Sequence, residues 1–363
     1  MPHRTKIYIN GRFLCRQPTG VDRVAYEVCL AIDQLLAKGH AVASQFDWEL
    51  LLPPDHQRVP DLLKISTRVV GRRGGNAWEQ ISLPLHSRGG FLLNLCNTGP
   101  LLKRRAALML HDAATRRVPQ AYTTAFRLWY RLMAVWAMKI LPLIFTPSHF
   151  SSKELQEIYG RREIIVTSLG IDHFSKITSD ESIYSRQGLL KGEYVLAVGS
   201  LAPHKNFKFL VDAIKGMNDV PFQLVIAGGT NPKVFGDDGA ELPSWVKYVG
   251  FVSDAELKAL YQGARAFVFP SLYEGFGLPP LEAMANGCPV ICSDAASIPE
   301  ACGNAAIYFD PSNATQFVER LSATISNPSV LADLRARGCL HVRQFTWERV
   351  AETICFNLMQ VAT

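Results

Sequence analysis

The residues best equipped for chemistry lie in Ser271–Glu300, SLYEGFGLPPLEAMANGCPVICSDAASIPE. An apolar stretch ends there, a loop carrying Gly275 and Gly277 follows, and Pro279-Pro280 opens a helix that stops at Gly287. A loop that feeds a helix start presents backbone N–H groups and the positive end of the helix dipole. Glycine lets that backbone approach a ligand closely, so phosphate is the natural guest. Two carboxylates flank the loop. Glu274 points from it toward a ligand, and Glu282, in the first turn of the helix, can accept hydrogen bonds from the vicinal hydroxyls of a ribose or pyranose. Alone, Glu282 is also what helix-dipole complementarity selects, and a bare Gly-x-Gly is an ordinary turn. The combination carries the reading.

Three other segments have similar potential. VGSLAPHKN, residues 198–206, puts Lys205 on a loop after a strand, just before the capping residue Asn206. A lysine there can neutralise a diphosphate leaving group as a point charge, or simply sit on the surface. His111-Asp112 follows the apolar run 107–110 and can either hydrogen-bond sugar hydroxyls or hold its own loop. QPTGV at 17–21, with Gly20, is a second phosphate-type turn or a tight strand-to-helix connection. No acidic metal motif accompanies these residues, since Asp237-Asp238 sits in a polar, glycine-flanked stretch that reads as a loop. The eight cysteines form no Cys-x-x-Cys pair, which argues against structural zinc and fits a reducing compartment. The expectation is therefore no metal and no cofactor, with leaving-group charge held by Lys205, loop N–H groups and the helix dipole.

The elements that must position these residues read as two α/β halves. Strands are expected at 6–10, 90–94, 107–110 and 143–146, with helices at about 21–37 and 151–159, the latter capped by Ser151 or Ser152 with Glu154 and Glu157 in its early turns. In the second half, strands are expected at 194–199, 222–227, 246–252, 266–270 and 290–293. Ser253-Asp254-Ala255-Glu256 is a capping box opening a helix to about Gly263. Continuous apolar strands alternating with helices mean parallel sheets covered on both faces, and in such folds ligands bind at the carboxyl ends of the strands. A polar stretch near 172–190 separates an N-terminal domain, 1–175, from a second domain, 176–345. A tail helix, 346–363, packs back toward the first. The apolar run Leu132–Phe145 is broken by Lys139 and Pro142 and reads as a buried helix rather than a membrane span. The N-terminus lacks a secretory apolar core.

Charge is divided unevenly. Residues 1–180 carry 24 Lys and Arg against 14 Asp and Glu, a net +10, while the remainder nets −4. Arg72-Arg73, Lys103-Arg104-Arg105, Arg116-Arg117 and Arg161-Arg162 are the basic clusters. An anionic partner for the first half follows, an acidic membrane surface or a lipid diphosphate. Nucleic acid is not expected, because no recognised binding motif accompanies the charge.

Together these segments resemble retaining glycosyltransferases of family 4, which have the GT-B fold: α/β, two Rossmann-like doubly wound domains facing a cleft. INGRFL and TGVDRVAYE resemble the opening strand, glycine loop and first helix. WEQISLP at 78–84, CNTGPL at 96–101, MLHDAA at 109–114, TPSHFSSKEL at 146–155 and SLGID at 168–172 resemble later parts of the first domain, in order. VGSLAPHKN and the Ser271–Glu300 string resemble the donor-binding domain. The resemblance implies that Glu274 contacts the donor sugar, that Gly275, Phe276, Gly277 and Leu278 hold sugar and phosphate, and that Glu282 bonds the ribose. It also implies that Lys205 neutralises the diphosphate, that His111 stabilises the reacting centre, that Gly20 lies near the donor phosphate, and that Gly250, Phe251 and Val252 lie near the base. Many relatives place Arg where this chain has Ser200, or just before the lysine, where it has His204, so one positive charge on the diphosphate is absent or pH-dependent. The acceptor side falls to the basic clusters, Arg72, Arg73, Arg116 and Arg117 among them.

The implied activity is retaining transfer of a hexose through a front-face, oxocarbenium-like transition state. The order of motifs is most similar to the branch building bacterial surface polysaccharides. This favours GDP-mannose or another GDP-sugar as donor, with UDP-sugars open, and a glycan or polyprenyl-diphosphate-linked acceptor at the cytoplasmic face of the inner membrane. A GT-B-like sugar-nucleotide epimerase and a non-catalytic sugar-nucleotide-binding protein are the alternatives. The sequence does not give the oligomeric state.

Overall fold

The computed structural model describes residues 4–160, 163–217, 219–229 and 242–362. Arg161-Arg162 and Asp237-Asp238 lie outside them. The chain forms two units, residues 1–170 with 346–363, and residues 171–345. The first unit thus ends at Gly170, ahead of the 175/176 boundary read from the linker, and the tail counts with it.

The first unit runs β1 (Thr5–Asn10), α1 (Gly20–Ala37), β2 (Phe46–Leu52), β3 (Ser66–Val69), β4 (Phe91–Asn94), β5 (Ala106–Met109), α2 (Thr124–Ile140), β6 (Leu143–Thr146), α3 (His149–Tyr159) and β7 (Ile165–Val166), with short turns of helix between. Among the described residues its strands form one seven-stranded, all-parallel sheet in the order β3-β2-β1-β4-β5-β6-β7. FLLN, AALM and LIFT of β4–β6 are buried throughout, as strands covered on both faces must be. The C-terminal helix Trp347–Ala362 lies against α1, burying Val350, Ala351, Ile354, Cys355 and Leu358 on one stripe at helical spacing.

The second unit contains β8 (Tyr194–Val198), α4 (Phe207–Lys215), β9 (Gln223–Ala227), β10 (Val246–Gly250), α5 (Asp254–Gly263), β11 (Ala266–Phe269), α6 (Leu278–Ala285), β12 (Val290–Ser293) and β13 (Ala306–Phe309). Its six described strands are again all parallel, in the order β10-β9-β8-β11-β12-β13. Each sheet reverses direction once, at β1/β4 and at β8/β11, the switch points where doubly wound sheets open a crevice at their strand ends.

Several local expectations are corrected. The run Leu132–Phe145 is not one helix: α2 ends at Ile140, and Leu141-Pro142 turns the chain into β6, because proline cannot continue the ladder. α3 is capped by Ser148, whose Oγ accepts the Ser151 N–H at 3.0 Å, so Glu154 falls beyond its first turn. Asn206 occupies the cap position of α4 in a left-handed conformation, but its side chain donates to the Pro311 carbonyl at 3.0 Å instead of capping. The Ser253/Glu256 capping box of α5 forms as read.

The ends of β8, β9 and β10 approach closely. Gly228, at φ +100°, donates its N–H to the Gly250 carbonyl at 2.7 Å, and a Cβ built there would meet the Gly199 carbonyl oxygen at 2.6 Å. Gly228→Ala should therefore cost roughly 1–3 kcal/mol of stability, from strain and forced separation of the strand ends. A denaturant-unfolding midpoint equal to wild type would refute this account of the junction.

Candidate active site

Two loops meet at the β8/β11 switch point of the second unit. The loop after β8 carries Ser200, which is exposed, then His204 and Lys205; the loop after β11 carries residues 270–277. The Leu272 N–H donates to the His204 carbonyl at 2.8 Å and ties one loop to the other. The spacing of 69 residues in sequence becomes a direct contact, with Lys205 Nζ 2.6 Å from Glu274 Oε1. Both side chains are mostly buried, and the ammonium also lies 5.7 Å from the centroid of the Phe269 ring. The cation and carboxylate singled out separately by the sequence are thus one pair.

The 270–277 loop is pinned from beneath. Ser297, fully buried, donates its hydroxyl to the carbonyls of both Glu274 and Phe276 at 2.9 Å. Ser293 donates to the Ser271 carbonyl at 2.5 Å. The Phe276 ring is buried edge-on against Phe345, 5.8 Å between centroids. Gly277 caps α6 at φ +109°, a conformation that disfavours any side chain. Because Pro279 and Pro280 follow Leu278, two first-turn N–H groups do not exist. The donors at this helix start are thus those of the loop end and Leu278, fewer than a loop-to-helix junction normally offers.

Glu282 lies in the second turn of α6 and not the first. Its Oε2 accepts a hydrogen bond from the hydroxyl of Tyr261 at 3.1 Å. Tyr261, on α5, is fully buried, and burial followed by the Glu282 charge holds its phenol well above the usual range. It is a fixed donor that orients the carboxylate. Gly250 ends the edge strand β10, and Phe251 beyond it is 68 % exposed, with Val252 half-buried.

The first unit builds its own site at β1/β4. Glu79, 1 % exposed, accepts from Asn10 Nδ2 and Thr98 Oγ1 at 3.0 Å and pairs with Arg12 Nη1 at 2.5 Å; Asn10 also donates to Asn94 at 3.0 Å. Gln80 exchanges hydrogen bonds with Gly99 and Leu101, so the WEQ segment holds the CNTGPL loop in place. A cavity of about 310 Å³ opens beside this network, lined by Arg12, Arg16, Asn76, Glu79, Trp129 and Tyr130 among others. Cys15 and Cys96 also line it, but burial, reinforced by the nearby Asp55, pushes the Cys15 thiol up to about 12, and burial likewise raises Cys96. Neither is a thiolate nucleophile.

Gly20 is the first residue of α1, and the start of that helix is served by the protein's own groups. Thr19 and Asp22 form a reciprocal capping box, and Arg16 grips the Asp22 carboxylate at 2.9 and 3.0 Å. His111 donates its Nε2–H to the Leu95 carbonyl at 2.8 Å, and Asn97 accepts its backbone N–H at 2.7 Å. Asp112 accepts the Ala114 N–H at 2.8 Å, the loop-holding alternative. Of the basic clusters, Lys103 is spent on the Ser87 and Gly90 carbonyls, and Arg117 on Glu154 and Glu157. Arg72, Arg73 and Arg116 are exposed.

Residues 180–339 match the family model described as Glycosyl transferases group 1. The O-antigen chain mannosyltransferase B of Escherichia coli is 30% identical over 257 residues, covering 67% of each chain. The chain belongs to the group 1 glycosyl transferases. A second relative, the O-antigen chain mannosyltransferase RfbU of Salmonella typhimurium, is 26% identical over 261 residues, 71% of this chain and 70% of that one. Among solved structures, sucrose-phosphate synthase from Thermosynechococcus elongatus superposes with a TM-score of 0.71 at 18% identity, covering 98% of this chain and 99% of that one. WaaG, described as a glycosyltransferase involved in lipopolysaccharide biosynthesis, gives 0.69 at 15% identity, covering 96% and 98%. These likenesses establish the GT-B fold.

Both histidines of interest in this glycosyltransferase are held neutral. Burial, then the Lys205 charge, lowers the His204 pKa, and its buried Nδ1 has no hydrogen-bond partner. At neutral pH His204 therefore does not replace a missing arginine. Burial lowers the His111 pKa to about 4, against a smaller opposing effect of the Leu95 carbonyl. Its folded value lies below the unfolded one, so the unfolded chain binds the extra proton. Stability is then lost as pH falls from about 6.5 to about 4, by roughly 3 kcal/mol from this group. Unfolding free energies across that range should fall more steeply for wild type than for His111→Gln. Parallel curves would show that His111 is not buried as described.

Proposed function

We propose that this glycosyltransferase moves a hexose, with mannose from GDP-mannose as first choice, from a nucleotide diphosphate sugar to a glycan or polyprenyl-diphosphate-linked acceptor. The setting is bacterial surface polysaccharide synthesis at the cytoplasmic face of the inner membrane, and the anomeric configuration is retained. The names of the two similar O-antigen mannosyltransferases support the sugar and the pathway class. The observation that carries the site assignment is the Lys205–Glu274 pair at the β8/β11 switch point.

In this reading Lys205 turns from Glu274 to the diphosphate as the glycosidic bond breaks. The ammonium and the N–H groups of residues 276–278 take the growing negative charge, where preorganised donors act most strongly. Glu274, released, accepts hydrogen bonds from sugar hydroxyls. Glu282, oriented by Tyr261, accepts from the ribose, and the exposed Phe251 ring lies by the base with Gly250 and Val252. His111, neutral, serves as a hydrogen bonder rather than a proton donor. The first-unit cavity suits an acceptor sugar, since Trp129 and Tyr130 put aromatic rings in its lining and Asn76 and Glu79 put polar groups there. On this reading Lys205 and the loop N–H groups hold the leaving-group charge without a metal.

Thermal unfolding with GDP, UDP and ADP and their sugars tests the donor class, since a ligand at 100 times its dissociation constant stabilises by about 2.7 kcal/mol. GDP compounds should respond most. Lys205→Ala and Glu274→Ala should each fold and lose at least about 10²-fold in kcat/KM, and transfer should survive EDTA. Wild-type turnover in either variant defeats the assignment. A new nucleotide sugar formed without acceptor would point to an epimerase.

A further inference from the structure

Beneath the 270–277 loop the chain makes a turn for which alanine is poorly suited. After β12 the Ile298 N–H returns to the Ala295 carbonyl at 3.2 Å, so Ala296 and Ser297 are the central residues of the turn. Ala296 has φ +56° and Ser297 φ −82°. A positive φ followed by a negative one belongs to the turn whose first central position is normally glycine. Among the described residues three non-glycines have positive φ: Asn97, Asn206 and Ala296. Asparagine reaches that region with help from its side chain, whereas alanine has no such help and is strained there. Strain of this kind persists only where surrounding contacts over-determine it, and it gathers at functional sites. The turn delivers Ser297, whose buried hydroxyl lies 2.9 Å from both the Glu274 and the Phe276 carbonyl oxygens. One proton is thus shared between two acceptors. The loop rests on the same element farther along, since a Cβ built on Gly277 would come 3.9 Å from the buried side chains of Ile298 and Ala301.

We propose that Ser297 is a positioning residue for sugar transfer: held under the loop by the left-handed turn at Ala296, its hydroxyl fixes the backbone from which Glu274 is presented. A carbonyl held from one side fixes its whole peptide plane. The plane that follows Glu274 sets the direction in which its side chain leaves the backbone, and hence where the carboxylate meets Lys205 Nζ. The plane that follows Phe276 sets the Gly277 N–H on the side away from Ser297, because the described peptides are trans. A single neutral hydroxyl therefore aligns a carboxylate and a backbone donor together, without a charge that would compete with Lys205 for Glu274. Ser293 does a different job, because it holds the Ser271 carbonyl at the start of the loop, three residues before Glu274. The role of Ser297 rests on the reading of Glu274 as the group that meets the donor sugar, and names the residue that sets its place.

The test compares Ser297→Ala, Ser297→Cys and Ser293→Ala in the full chain. Amide hydrogen exchange, measured without any ligand, should speed up about tenfold at residues 274–278 in Ser297→Ala. Peptides from β8 and β11 should exchange as in wild type. With GDP-mannose as donor and an α-mannoside as acceptor, Ser297→Ala should lose at least roughly tenfold in kcat with the acceptor KM unchanged. Ser297→Cys, close in size but a weaker donor, should fall between it and wild type, and Ser293→Ala should lose less than either. Unaltered loop exchange in Ser297→Ala overturns the proposal whichever sugar nucleotide proves to be the donor. So does an equal loss in Ser297→Ala and Ser293→Ala, which would make Ser297 a general support of the loop. Glu274→Ala separates the two readings. Wild-type turnover in that variant defeats the donor-site assignment, whereas an inactive Glu274→Ala beside a fully active Ser297→Ala defeats only the role of Ser297.

Discussion

Where two neighbouring parallel strands send their following helices to opposite faces of a sheet, nothing covers their carboxyl ends. That topological constraint positions the two candidate sites described above. In the second unit it falls between β8 and β11, and the two loops issuing there are the ones that carry Lys205 and Glu274. In the first it falls between β1 and β4, where Asn10 and Asn94 end their strands and join through a hydrogen bond into the Glu79 network. The same geometry holds a cation–carboxylate pair in one unit and a polar network with a cavity in the other. Side chains, not architecture, set the difference.

The supporting groups explain why the loops hold their shape. Neither the 270–277 loop nor the CNTGPL loop has a ladder partner of its own, and buried backbone polar groups must still be satisfied. Ser297 and Ser293 serve the first, Gln80 the second. All three work through bonds to backbone, so they fix geometry without adding charge. Tyr261 does the same for Glu282 from a neighbouring helix. The loops of the candidate site are thus framed by neutral donors.

The sequence disclosed the parts of the fold whose burial is two-sided. β4, β5, β6, β8, β9, β11 and β12 were legible because both faces are covered and the runs are apolar. β2 was missed because Asp47 and Glu49 interrupt FDWELLL; Glu49 is neutralised by Lys6 and Arg68, partners that no local pattern reveals. β3 is an exposed edge with a polar sequence, and β7 has two residues. Lys205, Glu274 and Glu282 were legible from residue type and punctuation by glycine and proline. Tyr261, Ser297 and Asn10 were not, because a buried tyrosine or serine in an apolar context has no signature until the fold shows what it faces. The cap assignments at Asn206 and Ser151 went astray for a related reason. The side chain that caps is decided by competing partners, Pro311 in one case and the earlier Ser148 in the other.

The charge state of the second-unit site bears on how a donor would be held. Lys205 and Glu274 cancel, His204 is neutral, Ser200 carries nothing, and the two prolines of α6 thin out the N–H groups at its start. A dianionic diphosphate therefore meets a pocket of little net charge. On the proposed reading its binding must exchange the Glu274 contact of Lys205 for one to phosphate, and the freed carboxylate must find sugar hydroxyls at the same time. A free nucleoside diphosphate satisfies the lysine but leaves Glu274 without hydroxyl partners beside an anion, whereas the intact sugar nucleotide satisfies both. The ion pair then acts as a selectivity device as well as a catalytic one. On that reading the sugar contributes to binding along with the diphosphate, because a mostly buried carboxylate left without a partner is costly.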